Sequence, residues 1–335
     1  MDKKLNDANF PHTDDGRVYH VGIRSGELAN RIITVGDHVR ARRISKEFDK
    51  VPKLFEYVSQ RGFTTLTGRY RGVPVSIVAI GMGYPMMDFF VRETRAVVDG
   101  DLVIIRLGSC GTIVPELPIG GIVVCSRALS ILTNYDYFHL SSEEKDSSSS
   151  TRPTSLVKPY LISKPIHCDK ALHDDLALEL EKSKEIEVMS NTLHAAADSF
   201  YSSQGRIDPN FSDDNQDLLE TLKTTYPEVV SLEMETSHLF HLAAIASSSS
   251  SLNKIENLKT RNQGTVENQF VQSKGKIRAA AAHITFAGRV NGDFISKEQV
   301  EKLESYGGKA CLETLIKQII QPENHHPEEG SVWAN

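Results

Sequence analysis

Residues 102–111 read LVIIRLGSCG, an apolar run that passes through one arginine into a glycine-bearing segment. Unbroken apolar runs of about six residues are typical of strands covered on both faces, whereas half-exposed strands alternate apolar and polar residues. We therefore predict a buried strand over 102–107, followed by a glycine-bearing turn over 108–111. This interpretation places the charged side chain of Arg106 at the end of the strand.

Short apolar runs and helical segments alternate on both sides of this stretch. Further buried strands are predicted at residues 31–35, 73–80, 120–128, 229–232 and 279–286. Apolar residues at helical spacing predict helices at residues 39–48, 86–98 and 233–246. Such alternation predicts an α/β sandwich with its functional site at the carboxyl ends of the strands.

Four segments break this pattern. Residues 141–155 and 247–275 are rich in Ser, Asn, Gln, Lys and Glu, and each contains a run of serines. Segments of this composition bury too little apolar surface to offset the entropy of ordering them, so we predict mobile surface insertions. The two ends, 1–15 and 321–335, look similar and are predicted to be flexible, which leaves a single domain over residues 16–320.

The composition is that of a globular protein with a mildly acidic surface. Hydrophobic residues make up 39% of the 335 residues, and the formal net charge is −6. Nucleic-acid and anionic-membrane binding rely on clustered Lys and Arg, so neither partner is expected. No stretch reaches the ~18 apolar residues of a membrane span, and the N-terminal residues lack the apolar core of a signal peptide. The four cysteines show no CxxC spacing, which favours reduced thiols in a cytoplasmic protein over a zinc site.

Three arginines, Arg40, Arg61 and Arg106, fall at predicted turns around the strand ends. Glycine-rich turns at helix starts expose backbone N–H groups to an anion, and a guanidinium adds a planar fork for phosphate oxygens. Together the arginines predict a phosphate site. Each of them alone is explained at least as well by a surface ion pair.

Two polar motifs suggest what else the site binds. Residues 200–206, FYSSQGR, include Gln204 and Arg206, whose planar donors and acceptors suit the edge of a pyrimidine, although an ordinary polar loop is the alternative. Residues 231–236, SLEMET, place Glu233 and Glu235 where a strand meets a helix. One carboxylate can hold a ribose while the other caps the turn, or the acidic residues simply favour the helix start.

Seven motifs follow one another as they do in the nucleoside phosphorylase-I superfamily, and the chain resembles its uridine phosphorylase branch over about residues 20–315. The motifs are HVG at 20–22, GDHVR at 36–40, RGFTT at 61–65, GMGYP at 81–85, RLGSCG at 106–111, FYSSQGR at 200–206 and EME at 233–235. The resemblance implies a three-layer α/β/α sandwich with a mixed central sheet. It also implies an enzyme that cleaves uridine with inorganic phosphate.

The resemblance implies a role for each candidate residue. Phosphate would be bound by Gly36, Arg40, Arg106 and Ser109, with Arg61 donated across a dimer interface. His20 of the neighbouring subunit would meet the 5′-hydroxyl, and the ribose would be held by Met234 and Glu235 with help from Arg106. Glu233 is a further substrate-binding candidate. The base would be bound by Phe200, Gln204, Arg206 and Arg289. Arg106, Gln204 and Arg206 would be catalytic, because they would stabilise charge that develops in the transition state.

Phosphate would be a co-substrate, and no metal or organic cofactor would be needed. The resemblance implies a homodimer as the smallest active unit, either alone or as three dimers in a hexamer. Four positions depart from the branch: His38 stands for a proline, Gly62 for a glutamate, Cys110 for a threonine and Gly288 for an asparagine. The glutamate contributes to a monovalent-cation site in bacterial relatives, so we expect no such site here.

Other functions of the same fold remain open. The first alternative is a purine or broad-specificity nucleoside phosphorylase, but purine enzymes protonate the base with an aspartate after the late strand, and residues 285–289, TFAGR, contain none. Nucleosidases use water and do not need an arginine-lined phosphate site. A non-catalytic storage protein would not need the full set of arginine, glutamine and glutamate side chains.

Overall fold

The computed structural model describes residues 5–139, 158–246 and 275–334. The insertion predicted at 141–155, and all but the last residue of the one predicted at 247–275, lie outside the described residues. Within the described ranges, no helix is both long enough and apolar enough to cross a membrane.

The described residues form strands and helices that alternate over most of the chain. The strands are β1 (Leu5–Asn6), β2 (His12–Thr13), β3 (Arg31–Val35), β4 (Phe55–Val58), β5 (Thr64–Tyr70), β6 (Val73–Ala79), β7 (Leu102–Thr112), β8 (Ile122–Thr133), β9 (Tyr160–Ile162), β10 (Ile166–His167), β11 (Val188–Ala197), β12 (Val229–Glu233) and β13 (Ile277–Gly288). The helices are α1 (His38–Ser45), α2 (Tyr84–Val97), α3 (Tyr135–Phe138), α4 (Lys170–Leu180), α5 (Leu218–Thr225), α6 (Thr236–Ala246) and α7 (Lys297–Lys317). Within the described ranges, short 3₁₀ turns lie at Ser202–Gln204 and Pro322–Asn324.

Strands β3 to β13 form one mixed eleven-stranded sheet, and β1 and β2 form a separate hairpin. Strands β3, β6, β7 and β13 are parallel to one another, whereas β8, β11 and β12 run in the opposite direction. Helices α1, α4 and α7 pack on one face of the sheet, in a core that includes Ile44, Leu172 and Leu312. Helices α2 and α6 pack on the other face, around Phe90 and Phe240. The predicted three-layer α/β/α sandwich with a mixed central sheet is confirmed.

The pairing of β7 creates a gap in the sheet. β13 pairs with one edge of β7 over its whole length, from Leu102 to Thr112. On the other edge, β3 pairs only as far as Arg106, and β12 arrives from the opposite direction and pairs at Gly111 and Thr112. A strand edge can hold only one ladder at a time. Residues 107–110 are therefore bordered on this edge by the ends of β3 and β12, and this gap holds the candidate site.

The same pairing shows that the predicted turn at 108–111 is wrong. These residues continue β7, because each of them is in register with β13, beginning with Gly108 opposite His283. A Cβ on Gly108 would lie 2.5 Å from His283 Cδ2, so the glycine permits close approach of the two strands. The helix predicted from residue 233 begins only at Thr236, because Glu233 is the last residue of β12.

Both ends, which we predict from the sequence to be flexible, take part in packing or secondary structure where the structure describes them. At the carboxyl end, Trp333 is 2% exposed, and the backbone N–H of Val332 donates to the carbonyl of Gly26 at 2.8 Å. At the amino end, residues 5–15 contain the hairpin of β1 and β2. At the carboxyl end the polar composition gave no sign of these contacts, since they are made to distant parts of the chain such as Gly26.

Candidate active site

Arg106 lies at the edge of the gap and is 3% exposed. Its Nε donates to the Glu233 carboxylate at 3.4 Å, and its Nη2 donates to Glu235. Its Nη1 is buried and has no partner within the described part of the protein. A buried guanidinium nitrogen without an acceptor is costly, so this group is arranged to receive an anion.

Arg40 approaches the gap from the first turn of α1. The Asp37 side chain caps this helix by accepting from the N–H groups of Val39 and Arg40, both at 3.1 Å, which sets the helix start just after β3. Arg40 is 4% exposed, and its Nη1 donates to the carbonyl of Leu107 at 3.0 Å, within the gap. Burial, followed by repulsion from Arg106, lowers the pKa of Arg40 to about 10. Two buried cations that repel each other favour a bound anion.

The other candidate phosphate ligands are placed differently. Gly36 lies between β3 and the helix cap, and the half-buried Ser109 lies within the gap itself. Arg61 does not join them: it is exposed in the turn after β4, donates to the Tyr19 hydroxyl and lies 4.8 Å over the Tyr19 ring. Within one chain, the structure therefore brings together Arg40 and Arg106 but not Arg61.

His20 also lies away from the gap. Its ring stacks on Phe89 at 3.7 Å, and its Nδ1 is 2.6 Å from the Glu93 carboxylate. Glu93 also accepts from the backbone N–H groups of His20 and Val21. The imidazole is thus held rigidly at a partly exposed position by a buried carboxylate.

The two carboxylates that follow β12 have separate environments. Glu233 accepts from the backbone N–H groups of Glu235 at 2.8 Å and Thr236 at 3.0 Å, so it caps the start of α6. Glu235 is 2% exposed and accepts from the backbone N–H of Gly83 as well as from Arg106. Burial, with a smaller contribution from the Glu233 carboxylate, raises the pKa of Glu235 to about 7. Met234 lies between them and is half-buried.

The loop after β11 presents an amide and a guanidinium that are hydrogen-bonded to each other. Gln204 is 2% exposed, and its Oε1 accepts from Arg206 Nη1 at 2.7 Å. The same nitrogen donates to the carbonyl of Phe200 at 2.6 Å, and the guanidinium lies 3.7 Å over the Phe200 ring. Burial, followed by repulsion from Arg289, lowers the pKa of Arg206 to about 10.

Arg289 holds the backbone of this loop. Its Nη1 donates to the carbonyl of Gln204 at 3.0 Å, and its Nη2 donates to that of Gly205 at 3.4 Å. Asn215, which the sequence analysis did not single out, donates from its amide to the carbonyls of Ser202 and Arg206 at 2.9 and 2.8 Å. The loop is therefore fixed from two sides before any ligand binds.

Two buried histidines lie beneath Glu233, and the sequence analysis missed both. His194 and His283 stack with ring centroids 4.4 Å apart, and their Nε2 atoms are 3.4 and 3.7 Å from the Glu233 carboxylate oxygens. Burial lowers the pKa of His283 to about 3. A histidine in an otherwise alanine-rich strand was the available sequence signal, in HAAA at 194–197 and AAAAH at 279–283.

These three side chains are of the type that binds metal ions. Their surroundings disfavour one, because both Glu233 oxygens already accept backbone N–H bonds and Arg106 Nε lies 3.4 Å away. A dication beside a buried guanidinium would be repelled. The arrangement fits a hydrogen-bonded carboxylate better than a metal ligand.

The structure shows the position and contacts of the four residues that depart from the branch. His38 is the first residue of α1, and its Nδ1 is 2.6 Å from the Thr64 hydroxyl. Gly62 has a φ of 88°, which side chains rarely adopt. Cys110 is buried in β7, and burial raises its pKa to about 12, so its thiol is inert. Gly288 is the last residue of β13.

Comparison with known proteins defines the class. The family model of the phosphorylase superfamily matches residues 30–251, and the chain belongs to this superfamily. It is 29% identical over 249 residues to a uridine phosphorylase of Thermococcus kodakarensis, covering 73% of this chain and 78% of that protein. It also matches a solved structure from a study of two uridine phosphorylases of the oomycete Phytophthora capsici, with 35% identity, a TM-score of 0.77, and coverage of 95% of this chain and 100% of that one. These relatives place it in the uridine phosphorylase branch.

Other relatives support the fold or match only in part. A Trypanosoma brucei nucleoside phosphorylase aligns with a TM-score of 0.68 over 92% of this chain and 100% of that one, and its 21% identity supports the fold alone. A DeoD-type purine nucleoside phosphorylase of Oceanobacillus iheyensis is 35% identical over 109 residues. That match covers 32% of this chain and 45% of the purine enzyme.

Proposed function

We propose that this protein is a uridine phosphorylase, which converts uridine and phosphate reversibly to uracil and ribose 1-phosphate. The observation that supports this most is the gap beside β7, where Arg106 keeps one buried Nη1 without an acceptor among the described residues. Arg40 donates to the carbonyl of Leu107 in this gap, and Glu235 accepts from Arg106. An anion bound at Arg106 would therefore sit next to a buried carboxylate that can hold the sugar.

In this proposal, phosphate binds to Arg40, Arg106, Ser109 and the backbone at Gly36. Bidentate guanidinium contacts orient the phosphate oxygens toward the anomeric carbon. The bond between C1′ and N1 of uracil breaks as a phosphate oxygen forms the new bond to C1′, and the electron pair leaves with the base. The phosphate dianion stabilises the positive charge on the sugar, and water protonates the departed uracil anion.

Gln204 and Arg206 stabilise the leaving base. Arg206 donates to Gln204 Oε1, so the Nε2 donor of this amide points away from Arg206. This Nε2 donates to the backbone carbonyl of Glu233 at 3.4 Å. The remaining N–H groups of both side chains suit the carbonyl oxygens of uracil, where negative charge develops. Cytosine carries an amino group in place of O4, which would set a donor against a donor.

Glu235, with Met234 beside it, would hold the ribose hydroxyls, and Glu233 would support them from the helix start. Glu235 is already fixed by Gly83 and Arg106. The carboxylate that binds the sugar would thus share one guanidinium with the phosphate. This shared contact would align the two reacting groups.

We further propose that the active unit is a homodimer, alone or as three dimers in a hexamer. Arg61 and His20 lie away from their own chain's gap, each held at the surface by an aromatic ring. This placement suits contribution to the site of a neighbouring subunit, to phosphate and to the 5′-hydroxyl respectively. No metal or organic cofactor enters this mechanism.

We propose pyrimidine salvage in the cytoplasm as the setting. All four cysteines are free thiols, which fits a reducing compartment. The mildly acidic net charge of −6 supports our expectation that the protein binds neither nucleic acid nor membranes.

A purine or broad-specificity phosphorylase is the second candidate, and the 35% identity over 109 residues to a purine enzyme favours it. A storage-type homologue without activity is the more distant one. The absence of an aspartate from residues 285–289 weighs against purine cleavage.

A substrate panel tests the proposal. Uridine, cytidine and inosine are each incubated with phosphate, and base release is followed for the wild type and for Arg206→Ala. We expect uridine to be cleaved fastest, and Arg206→Ala to lower kcat more than it raises KM, because the arginine acts on the departing anion. Faster cleavage of inosine, kept in Arg206→Ala, would show that this loop does not select the base.

A further inference from the structure

Glu304 is a buried carboxylate at the phosphate side of the candidate site. It lies in α7, is 2% exposed, and falls outside residues 30–251 that the family model matches. Its Oε1 accepts from Arg40 Nε at 2.8 Å, and its Oε2 accepts from Arg43 Nη1. A carboxylate this deeply buried needs such partners, since an unpaired buried charge is strongly destabilising.

The packing of α7 on α1 fixes this contact. One turn beyond Glu304, a Cβ on Gly308 would lie 2.4 Å from Ile44 Cγ1, so the two helices approach each other closely there. On α1, Arg40 and Ile44 are four residues apart and share one face, as do Glu304 and Gly308 on α7. The close contact at Gly308 therefore brings Glu304 to a set position over Arg40.

Among the described residues, the hydrogen bonds of Arg40 leave one edge of its guanidinium open. Nε is bound to Glu304 and Nη1 to the carbonyl of Leu107. These two contacts restrain the plane of the guanidinium. The remaining N–H groups are the ones available to an anion in the gap, and their planar arrangement is what a phosphate oxygen pair requires.

We propose that Glu304 is a positioning residue for phosphate: it orients the Arg40 guanidinium so that its free edge meets the anion. This proposal rests on the proposed phosphorolysis, and it adds a residue that is not among the phosphate and substrate ligands named above. Without the carboxylate, Arg40 keeps its charge but gains rotamer freedom, and orientation is lost before binding. Glu304 does not touch the substrate.

The test is Glu304→Gln, with Glu301→Gln as the matched control. Glu301 lies on the same helix, is half exposed, and pairs with Arg43 at 3.4 Å but not with Arg40. Initial rates are measured with phosphate and uridine varied in turn, and phosphate affinity is measured separately by thermal shift. Glu304→Asp is made as well, because it keeps the charge while shortening the reach to Arg40, and it serves if the Gln variant fails to fold.

We expect Glu304→Gln to raise the KM and Kd for phosphate about tenfold, because one charge-assisted contact is lost. The KM for uridine should change by less than about twofold. Glu304→Asp should show the same selectivity with a smaller change, and Glu301→Gln should match the wild type.

Unchanged phosphate affinity in folded Glu304 variants would overturn the inference. So would equal changes for phosphate and uridine, or an equal effect of Glu301→Gln. If the wild type releases uracil without phosphate, the proposed function fails instead, while the thermal-shift comparison still tests the contact between Glu304 and the anion site.

Discussion

Replacing Arg106 is the perturbation with the largest expected effect on catalysis. Arg106→Ala removes the unpartnered Nη1 that we assign to phosphate, together with the contacts to Glu233 and Glu235. A hydrogen bond to a charged group contributes about 1.5–3 kcal/mol, and each 1.4 kcal/mol is about a factor of ten in rate. The phosphate contact alone then accounts for a loss of about 10- to 100-fold in kcat/KM for phosphate.

The change in Glu235 adds to this loss. Arg106 is the main group that opposes the raised pKa of Glu235, so its removal raises that pKa further and favours the neutral acid at neutral pH. We therefore expect at least about a 100-fold fall in kcat/KM, in the range found when one oxyanion donor is removed from an enzyme. Initial rates with varied phosphate measure it.

Stability must be controlled in this experiment. Leaving two buried carboxylates without their cation costs about 3–5 kcal/mol, so Arg106→Ala is compared with Arg106→Lys, which keeps the charge but not the fork. Both are checked by circular dichroism and thermal melting before assay. A folded Arg106→Ala enzyme with kcat/KM for phosphate within about threefold of wild type would refute the assignment.

Further predictions concern pH, packing and assembly. The pKa of Glu235 is about 7 in the folded protein against 4.5 for the free group, so the folded state binds more protons between these pH values. The contribution of Glu235 to stability should therefore fall as pH rises from about 4.5 to about 7. Urea unfolding of Glu235→Gln should lack this fall, and a pH profile identical to that of the wild type would contradict the prediction. Gly108→Ala should lower the free energy of unfolding by about 1–3 kcal/mol, because the new Cβ would lie 2.5 Å from the stacked His283 ring. The control Gly288→Ala should melt near the wild type, because its Cβ would lie 3.6 Å from the nearest side-chain atom. Equal melting temperatures of the two variants would count against the clash. Mixing inactive Arg61→Ala with inactive Glu235→Ala subunits should restore activity, since a mixed dimer contains one intact site; no recovery after proven subunit exchange would show that the site is not shared.

The strands were predictable from the sequence where apolar runs were continuous. Residues 31–35 form β3 as predicted, and residues 73–80 and 102–107 lie within or nearly within β6 and β7. The extension of β7 through Gly108 was not predictable locally, because glycines weaken a strand unless a partner strand requires close approach. Here β13 supplies that partner, although Gly108 pairs with His283, far along the chain.

The site was predictable in its parts but not in its assembly. Arg40, Arg106 and Glu235 were identified as candidates, and the structure brings them to one gap. Glu304 and His194 were missed, because their significance lies in contacts with residues that are distant in sequence. A glutamate on the long C-terminal helix looks like any solvated helix residue until its burial is known.

The most direct test of the central claim is to follow the fate of phosphate. Uridine and inorganic phosphate are incubated with the protein, and ³¹P NMR records the phosphorus species while uracil is quantified in the same sample. We expect inorganic phosphate to be converted to a sugar phosphate in equal amount to the uracil released, and neither product to form without phosphate. Release of uracil with free ribose, and with no phosphate ester, would contradict it.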